Sequence, residues 1–541
     1  MNSSRSSPIG DLILHGILFL AQMVLLISYG LTASGTTPPF VYPCFLILAV
    51  LTLYRQNEAI SRYGTRLILV PGLLSIFFYG FCLLNELGNF FWAYYAPRWY
   101  SIPVRILWMQ TGLLLIHPLI FPYVLDWVTR VFRSLADRGY FGKKLFVTVP
   151  VVVILLWLLR SRNISSDGYA WLRYSFMPDQ WYRYLREPLG VMIFYLWIHG
   201  VMNLFHWFSG VGNTIVYLFC GAQSDFPWEN LQAYVGIVIL NIGCGCLAVG
   251  LLTPVIRETA SKPFSGLLLA LVLCSCGFTQ VFVGNLEIYA LLQLGLAAFL
   301  FVAVRYLRDE SPLWAVGVVF GLFFCLHLSS GWWIPAFLLL PYVKAITTRP
   351  LAHPFREVFL QLCGFSFIVI GYWLFLLAYG YHGDLRAMQN HFWSDEVMYT
   401  GTDKAMFYPW PTYSTADYYL TQLNMYFNLM PAIWILLATV LMSVKYWRPL
   451  EPVQFWILVM AGFYGVYSIV WHNDRPYPSD WDLFSGLTVP LMLSLGFIIV
   501  KSRLSDAAKQ YILYQAAVFS GLFLILQIVR NYLRVTEWPL F

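Results

Sequence analysis

Two carboxylates stand two residues apart in the stretch SDWDLFSG, where a long apolar segment begins near the C-terminus. Asp480 and Asp482 follow His472, Asp474 and Arg475, so five polar side chains lie within eleven residues. A carboxylate at a helix start can cap the helix by accepting hydrogen bonds from its first N–H groups. Capping accounts for one carboxylate but not for two. We therefore expect Asp480 to cap and Asp482 to face a site.

Three further charged residues border a long polar stretch in the middle of the chain. Asp167 stands in SSDGYAW directly after an apolar segment, and Arg186 and Glu187 precede Pro188 in YLREPLG. Asp-Gly is a turn signal, and an acid ahead of proline is common where a helix begins. The functional alternatives are a catalytic base at Asp167, held by a rigid helix end, and a phosphate contact by the guanidinium of Arg186.

Polar residues also mark the ends of two later apolar segments. Asn285 and Glu287 open a span in VGNLEIYALLQ, where a helix N-terminus stabilises an acid. His327 lies at the turn of a tight helical hairpin in CLHLSSGWWIP. A lone histidine is commonly a structural group, and neither HxH nor HExxH occurs, so the sequence predicts no dedicated metal site.

The elements that would position these residues are transmembrane helices. The chain of 541 residues is 59% hydrophobic, 18% aromatic and 11% charged, which excludes an ordinary soluble domain. Apolar segments long enough to cross a bilayer of ~30 Å recur along it. They lie near 10–32, 39–54, 67–87, 104–128, 144–161, 231–253, 264–283, 286–304, 312–326, 331–345, 357–379, 426–444, 453–471, 484–500 and 510–529. We predict an all-α integral membrane protein with about 15 or more transmembrane helices.

Lysine and arginine predict the orientation of these helices. Under this segmentation 21 of the 33 basic residues share one side, with a net charge of +11 against −4 on the other. The N-terminus and residues 129–144 are therefore predicted to be cytoplasmic. Asp167, Glu187, Glu287 and His327 join Asp482 on the external face, although they come from separate segments. The net charge of +7 reflects this topology rather than a nucleic-acid partner.

Two predicted external loops, about 162–187 and 380–425, are longer than a helix connection needs, which favours a functional role. The apolar but interrupted stretch 188–222 predicts a short hairpin or interfacial helices that return to the side they left. The chain is divided on these grounds into N-terminal accessory transmembrane helices (1–140), a catalytic transmembrane core (141–500), and a last transmembrane helix and tail (501–541).

The order of these motifs resembles the GT-C superfamily of polytopic glycosyltransferases that use polyprenyl-phosphate sugars. Within it, the chain is most similar to protein O-mannosyltransferase-like predicted bacterial transferases. The elements that carry the resemblance are DG at 167–168, REPL at 186–189, GNLEIYALL at 284–292, HLS at 327–329, the segment from Asp417 to Asn424, and DWDLF at 480–484. It covers about residues 140–500. The five N-terminal helices fit the family pattern less well, and the usual paired acids of the first loop are not evident because Gly168 follows Asp167.

This resemblance implies a GT-C-like bundle with external loop helices that moves a sugar from a polyprenyl-phosphate donor to a glycan, lipid or protein acceptor. The implied catalytic residues are Asp167 and Asp482, and the implied substrate-binding residues are Arg186, Glu187, Asn285, Glu287, His327, Arg475 and Asp480. No cofactor is required, because lipid phosphate is a good leaving group; a divalent cation is left open. The implied location is the bacterial inner membrane with the active site external, the bilayer as a partner and no nucleic acid.

Other classes of protein remain as alternatives. A lipid-linked oligosaccharide polymerase or ligase would also be polytopic with a large external loop, but such sites rely on arginine and histidine. A secondary transporter is expected to show inverted repeats and polar residues in mid-membrane, neither of which the sequence shows. A non-enzymatic scaffold would not need so many external carboxylates.

Overall fold

The computed structural model describes residues 64–81, 102–117, 120–136, 188–207, 228–260, 263–283, 288–347, 354–378, 413–471 and 481–533. Its α-helices are, in chain order, α1 (Leu69–Phe81), α2 (Ile102–Leu115), α3 (Phe121–Ala136), α4 (Pro188–Trp207), α5 (Trp228–Thr259), α6 (Pro263–Cys274), α7 (Gly277–Val283), α8 (Tyr289–Leu307), α9 (Leu313–Leu326), α10 (Ile334–Thr347), α11 (Pro354–Ala378), α12 (Ala416–Leu429), α13 (Ile433–Met442), α14 (Pro452–Val470), α15 (Thr488–Lys501) and α16 (Asp506–Leu533). Short 3₁₀ helices cover Arg66–Ile68, Leu328–Trp333, Val444–Tyr446 and Trp481–Leu487.

The described residues contain helices and no β-strand. Within the described ranges, seven helices are long and apolar enough to cross a membrane, or up to nine if each of two bent helix pairs is one span. These helices indicate an all-α integral membrane protein. The expected count of about 15 or more spans is not confirmed, and the predicted segments 10–32, 39–54 and 144–161 lie outside the described residues.

Prolines break two segments that the hydropathy pattern predicts as continuous. Within 104–128, α2 ends before Pro118 and α3 begins anew with Pro122 in its first turn, a position where the missing N–H costs nothing. Within 426–444, Met430 has φ −144° and ψ 73° ahead of Pro431, which is outside the α region that a following proline disfavours. Helices α12 and α13 consequently meet at a bend of 101°.

Two other predicted segments also differ in detail. The predicted span 264–283 is bent by 60° between α6 and α7. Residues 188–207 of the interrupted stretch 188–222 form the continuous helix α4. Its 19 residues Leu189–Trp207 are long and apolar enough to cross a membrane. Residues 208–222 lie outside the described residues, so the expected return to the same side stays a prediction.

One end of the bundle is held by ion pairs among residues that the charge pattern assigns to the cytoplasmic side. Arg308 Nε lies 2.9 Å from Glu258 Oε2, which joins the α8–α9 turn to the end of α5. Lys344 on α10 donates to the carbonyl of Tyr306 at 3.0 Å and pairs with Asp309 in the same turn. We call this the basic end of the bundle. The predicted orientation itself stays a prediction.

The described N-terminal helices pack along the last one. Trp108 Nε1 on α2 donates to the carbonyl of Leu522 at 3.0 Å, and the hydroxyl of Tyr511 donates to the carbonyl of Ile116. Trp108 bonds to residue 522 and Ile116, later in the chain, bonds to residue 511. Residue numbers therefore rise along α2 where they fall along α16, so the two helices run antiparallel. Whether residues 1–140 act as an accessory module stays a prediction.

Glycines allow α9 and α11 to pack backbone against backbone. A Cβ added at Gly317 would lie 3.0 Å from Phe365 N, and one added at Gly364 would lie 3.1 Å from Val318 N. Small residues at a helix interface are how membrane helices approach closely, because side-chain burial gives little drive in lipid. Much of the outer face of α11 is accordingly exposed, including Phe355, Phe359 and Phe367.

Candidate functional site

Of the nine predicted site residues, the structure describes His327 in full and the backbone of Asp482. Asp482 lies in the 3₁₀ helix Trp481–Leu487. The α-helix that was expected to begin near Phe484 begins at Thr488, because the 3₁₀ helix intervenes. The remaining predicted residues lie outside the described residues: Asp167, Arg186, Glu187, Asn285, Glu287, Arg475 and Asp480.

His327 lies in the predicted turn between α9 and α10, and it caps the 3₁₀ helix Leu328–Trp333. Its Nδ1 accepts a hydrogen bond from the N–H of Ser329 at 3.1 Å, and its carbonyl accepts one from the hydroxyl of Ser330 at 2.8 Å. Because Nδ1 is an acceptor here, the proton of the neutral ring resides on Nε2. His327 is 6% exposed and its ring centroid lies 5.5 Å from that of Tyr289, at the start of α8. We call residues 327–333 the His327 turn.

The C-terminal part of the DWDLFSG motif packs directly against this turn. Trp333 stacks on Tyr464 of α14 with ring centroids 4.1 Å apart, and a Cβ added at Gly486 would lie 2.8 Å from Trp333 Cη2. Phe484 lies against Tyr467 at 5.4 Å. Glycine at 486 is therefore what allows residues 481–487, which we call the Phe484 segment, to lie against the stacked rings.

A buried amide ties the Phe484 segment to α8. Gln293 Nε2 donates to Ser485 Oγ at 2.9 Å, and both residues are fully buried. Gln293 Oε1, Trp333 Nε1 and Thr488 Oγ1 are buried without a hydrogen-bond partner in the described part of the chain. Unsatisfied buried polar atoms are rare and call for an explanation, such as an ordered water or a bound group.

Residues near three predicted site residues also lie close together beside the His327 turn. A Cβ added at Gly190, three residues after Glu187, would lie 2.9 Å from the carbonyl oxygen of Leu326 and would clash with Ile288. Ile288 directly follows Glu287, and Leu326 directly precedes His327. Gly190 thus lies against both the residue that follows Glu287 and the residue that precedes His327, although Glu187 and Glu287 are themselves outside the described part.

Helix α12 carries the resemblance motif from Asp417 to Asn424 and packs over the end of α14. The hydroxyl of Tyr418 donates to the carbonyl of Ile469 at 2.7 Å, and the hydroxyls of Tyr426 and Ser468 lie 2.8 Å apart. Two tyrosines of α12 therefore bond to the last turn of α14. Thr415 caps α12 through its side chain.

A chain of amides that the sequence reasoning missed lies beside α12. Gln280 of α7 donates to Gln527 of α16, which donates to Asn428 of α12. All three are buried. Gln422 of α12 is also buried, and neither of its amide atoms has a partner among the described residues. The sequence signal for this chain was one isolated amide residue within each apolar segment, because an amide side chain is costly to place in a membrane.

The electrostatics of this end differ from those of the basic end. The described contacts around the His327 turn and the Phe484 segment come from amides, hydroxyls and aromatic rings, which suit the recognition of neutral hydroxyl groups. Partial burial raises the pKa of the Tyr413 hydroxyl, which lies ahead of α12. Within the described ranges, no group of three His, Cys, Asp or Glu side chains could hold a metal ion.

Comparison with known proteins adds no identification. No protein-family model, curated protein or solved structure matches the chain.

Proposed function

We propose that the protein is a membrane glycosyltransferase of GT-C type, which moves a sugar from a polyprenyl-phosphate donor to an acceptor hydroxyl on the external face. The observation that carries the proposal is the meeting of distant motifs at one end of the bundle. Gly190, three residues after Glu187, lies against Ile288 and Leu326, which flank Glu287 and His327, and the Phe484 segment is bonded to Gln293 on the helix that Glu287 precedes.

In this proposal the residues divide the chemistry between them. Asp167 takes the proton of the acceptor hydroxyl while the oxygen of that hydroxyl attacks the anomeric carbon of the sugar. The bond from that carbon to the phosphate oxygen breaks, and polyprenyl phosphate leaves with the electron pair. Arg186 and Arg475 stabilise the charge on the departing phosphate, joined by His327 through the proton on Nε2. Asp482 binds a sugar hydroxyl or orients one of these arginines.

Glu187, Asn285 and Glu287 would contact the sugar, and Asp480 would cap the Phe484 segment. The uncharged groups described nearby favour a neutral sugar over an anionic one, because Gln293, Gln422 and Thr488 offer hydrogen bonds without a positive charge.

The helix lengths fit a donor that arrives within the membrane. Helices α9 and α10 flank the His327 turn with 14 residues each, a length of about 21 Å. The hydrocarbon core is ~30 Å thick. With the basic end at one surface, the His327 turn lies below the other surface, where a lipid-linked substrate can reach it from the side.

The test is an assay of the purified protein in nanodiscs with a panel of polyprenyl-phosphate sugars, measuring release of polyprenyl phosphate. Asp167→Asn is expected to lower turnover ~10²–10⁴-fold while the protein stays folded and inserted. Turnover with no member of the panel would contradict the proposal. Wild-type turnover in Asp167→Asn would leave Asp167 as a turn residue. If only oligosaccharides on a polyprenyl diphosphate react, the polymerase or ligase alternative is supported instead.

His327 allows a matched pair of variants. Asparagine is a good capping residue, so His327→Asn keeps an acceptor for the N–H of Ser329 but loses the ring, whereas His327→Ala loses both. If the ring acts on the phosphate, both variants lose turnover and only His327→Ala loses thermal stability. Normal turnover in His327→Asn would restrict His327 to capping.

The same comparison applies to the two carboxylates of the DWDLF motif. Serine also caps, so Asp480→Ser is expected to keep turnover, while Asp482→Asn is expected to lose it with little change in stability. The reverse result would exchange the two roles. Equal losses of stability with intact turnover would make both residues structural.

Secondary transport is the second candidate, and the two bent helix pairs favour it. Transporters commonly bind substrate at discontinuous helices, and here α6–α7 and α12–α13 bend by 60° and 101° and are linked by Gln280, Gln527 and Asn428. Concentrative, ion-dependent uptake of a sugar into proteoliposomes, without release of polyprenyl phosphate, would support transport over transfer.

A further inference from the structure

Two helix connections meet at one corner of the bundle. Residues 443–451 connect α13 to α14, and residues 502–505 connect α15 to α16. The two connections are joined directly, because the N–H of Arg503 donates to the carbonyl of Tyr446 at 2.7 Å. We call these two connections together the α13–α16 corner.

The α13–α16 corner lies at the basic end of the bundle. Trp333 stacks on Tyr464, and Trp456 Nε1 donates to the carbonyl of Ala336 at 2.8 Å. Residue numbers therefore rise along α10 where they fall along α14, so these two helices run antiparallel. The start of α14, and the corner that precedes it, consequently lie at the same end as Lys344 near the end of α10.

Three cations at this corner have no carboxylate partner. Lys445, Arg448 and Arg503 are exposed, and none of them forms an ion pair within the described ranges. The contact of the Lys445 ammonium is with a neutral ring, since it lies 5.0 Å from the centroid of Tyr446. The described chain therefore leaves three positive charges at the corner without a neutralising group.

Other charges at the basic end are matched. Glu451 is the one acid in residues 443–451 and 502–505, and it pairs with Lys501 at 2.8 Å. Arg305 at the end of α8 pairs with Glu310 at 3.3 Å. A matched pair presents little net charge, whereas unmatched cations create a positive potential that attracts an anion.

The corner also presents the side chains of a membrane interface. Trp447 Nε1 donates to the carbonyl of Val440 at 3.0 Å, which fixes the indole, and the residue is 37% exposed. Tryptophan is enriched where the hydrocarbon meets the headgroups. Leu441, Met442 and Val444, at the end of α13, are all more than half exposed. A partner at this corner can therefore contact apolar and positive groups together.

We infer that the α13–α16 corner binds an anionic phospholipid. Lys445, Arg448 and Arg503 hold the phosphate, for which guanidinium groups are well shaped, and the acyl chains lie against Leu441 and Met442. Basic side chains beside membrane helices bind anionic headgroups in this way. A free phosphate would use only the cations, and an acidic soluble protein would not need the exposed apolar groups, whereas a phospholipid uses both. This inference is independent of the proposed transfer reaction.

Native mass spectrometry of the full chain in detergent tests the inference without any substrate. Phosphatidylglycerol and phosphatidylcholine with the same acyl chains are titrated separately, and the dissociation constant of each is measured. We expect phosphatidylglycerol to bind more tightly. A basic residue near an anionic surface contributes about five-fold in binding, so Lys445→Gln, Arg448→Gln and Arg503→Gln are each expected to weaken phosphatidylglycerol about five-fold, and the triple variant about 100-fold. Arg503→Gln retains the backbone N–H that bonds to Tyr446.

The matched control is Arg305→Gln, which removes a cation of the same end whose side chain is 45% exposed but already paired with Glu310. It is expected to leave phosphatidylglycerol binding unchanged, and Arg448→Lys is expected to retain most of the binding. Equal affinities for the two lipids would overturn the inference, as would equal losses in Arg305→Gln and Arg448→Gln.

Three further outcomes would assign the corner to something other than a lipid. Full competition by inorganic phosphate would make it a site for free phosphate. Binding of polyglutamate through the same three residues would make it a site for an acidic protein. A triple variant that loses thermal stability in phosphatidylcholine and keeps its lipid affinity would restrict the cations to stabilising the helix ends.

Discussion

Replacing Gly486 by alanine tests whether the Phe484 segment and the His327 turn are packed as tightly as described. The new Cβ would lie 2.8 Å from Trp333 Cη2 and 3.0 Å from Tyr464 Cζ, at the limit of what real Cβ atoms show. Both rings are fully buried, and Phe323 lies 5.2 Å from Trp333 on its far side. The rings have little room to retreat, so we expect a loss of ~1–3 kcal/mol from overpacking.

Gly462 provides the matched control because it belongs to α14, like Tyr464. A Cβ there has nothing within 4 Å. Gly462→Ala is therefore expected to leave stability unchanged or to raise it by about 0.4–1 kcal/mol, since alanine reduces the freedom of the unfolded chain. Both variants are compared with the wild type by heating in detergent and measuring the fraction that remains monodisperse, at one scan rate, because a protein of this size need not unfold in two states.

A second substitution identifies the cause of any loss. Trp333→Phe removes the distal part of the indole that the new Cβ would meet, so Gly486→Ala is expected to cost less in that background than in the wild type. Equal melting temperatures for Gly486→Ala and Gly462→Ala would refute the packing argument. An undiminished cost in the Trp333→Phe background would assign the effect to the backbone of the Phe484 segment instead.

Three further predictions concern other contacts and the topology. Gly317→Ala is expected to lower the melting temperature because its Cβ would meet the backbone of α11. Gly371→Ala is expected to leave the melting temperature unchanged because its Cβ would have nothing within 4 Å. Similar melting temperatures for the two variants would argue against close packing of α9 and α11. A double-mutant cycle of Gln293→Leu and Ser485→Ala is expected to give a coupling of about 1 kcal/mol, and additive effects would show that their hydrogen bond contributes nothing. A membrane-impermeant thiol reagent outside intact cells is expected to modify cysteines placed in 380–425 and to spare those in 129–144; the opposite labelling would invert the topology.

Apolar segment length predicted most of the described helices but not where they break. Hydropathy averages over Pro118, Pro122 and Pro431, yet each proline removes a backbone donor and forbids the helical conformation just before it. The continuous segments 104–128 and 426–444 are therefore each two helices. Proline positions in the sequence could have predicted both breaks.

The candidate site was accessible from sequence only in part. The turn at His327 was predicted because a short polar stretch joins two apolar segments, whereas the capping role of Asp480 stays a prediction. The stacking of Trp333 on Tyr464 and the bond from Gln293 to Ser485 were not predicted. They join residues more than a hundred positions apart, and a single amide or ring in an apolar segment carries no information about its partner.

The position of Gln527 in α16 has a consequence for biogenesis. Gln280 and Gln527 are separated by 247 residues, so at translation rates of about 5–20 residues per second the first amide precedes the second by roughly 12–50 s. Through that interval Gln280 and then Asn428 enter the bilayer without the side chain that satisfies them, and an unpaired amide in hydrocarbon is costly. A chain that stops before α16 never completes this set of bonds and also lacks Tyr511 and Leu522, which hold α2. Insertion factors that shelter polar side chains, and proteases that recognise exposed ones, would therefore distinguish chains that contain α16 from chains that stop before it.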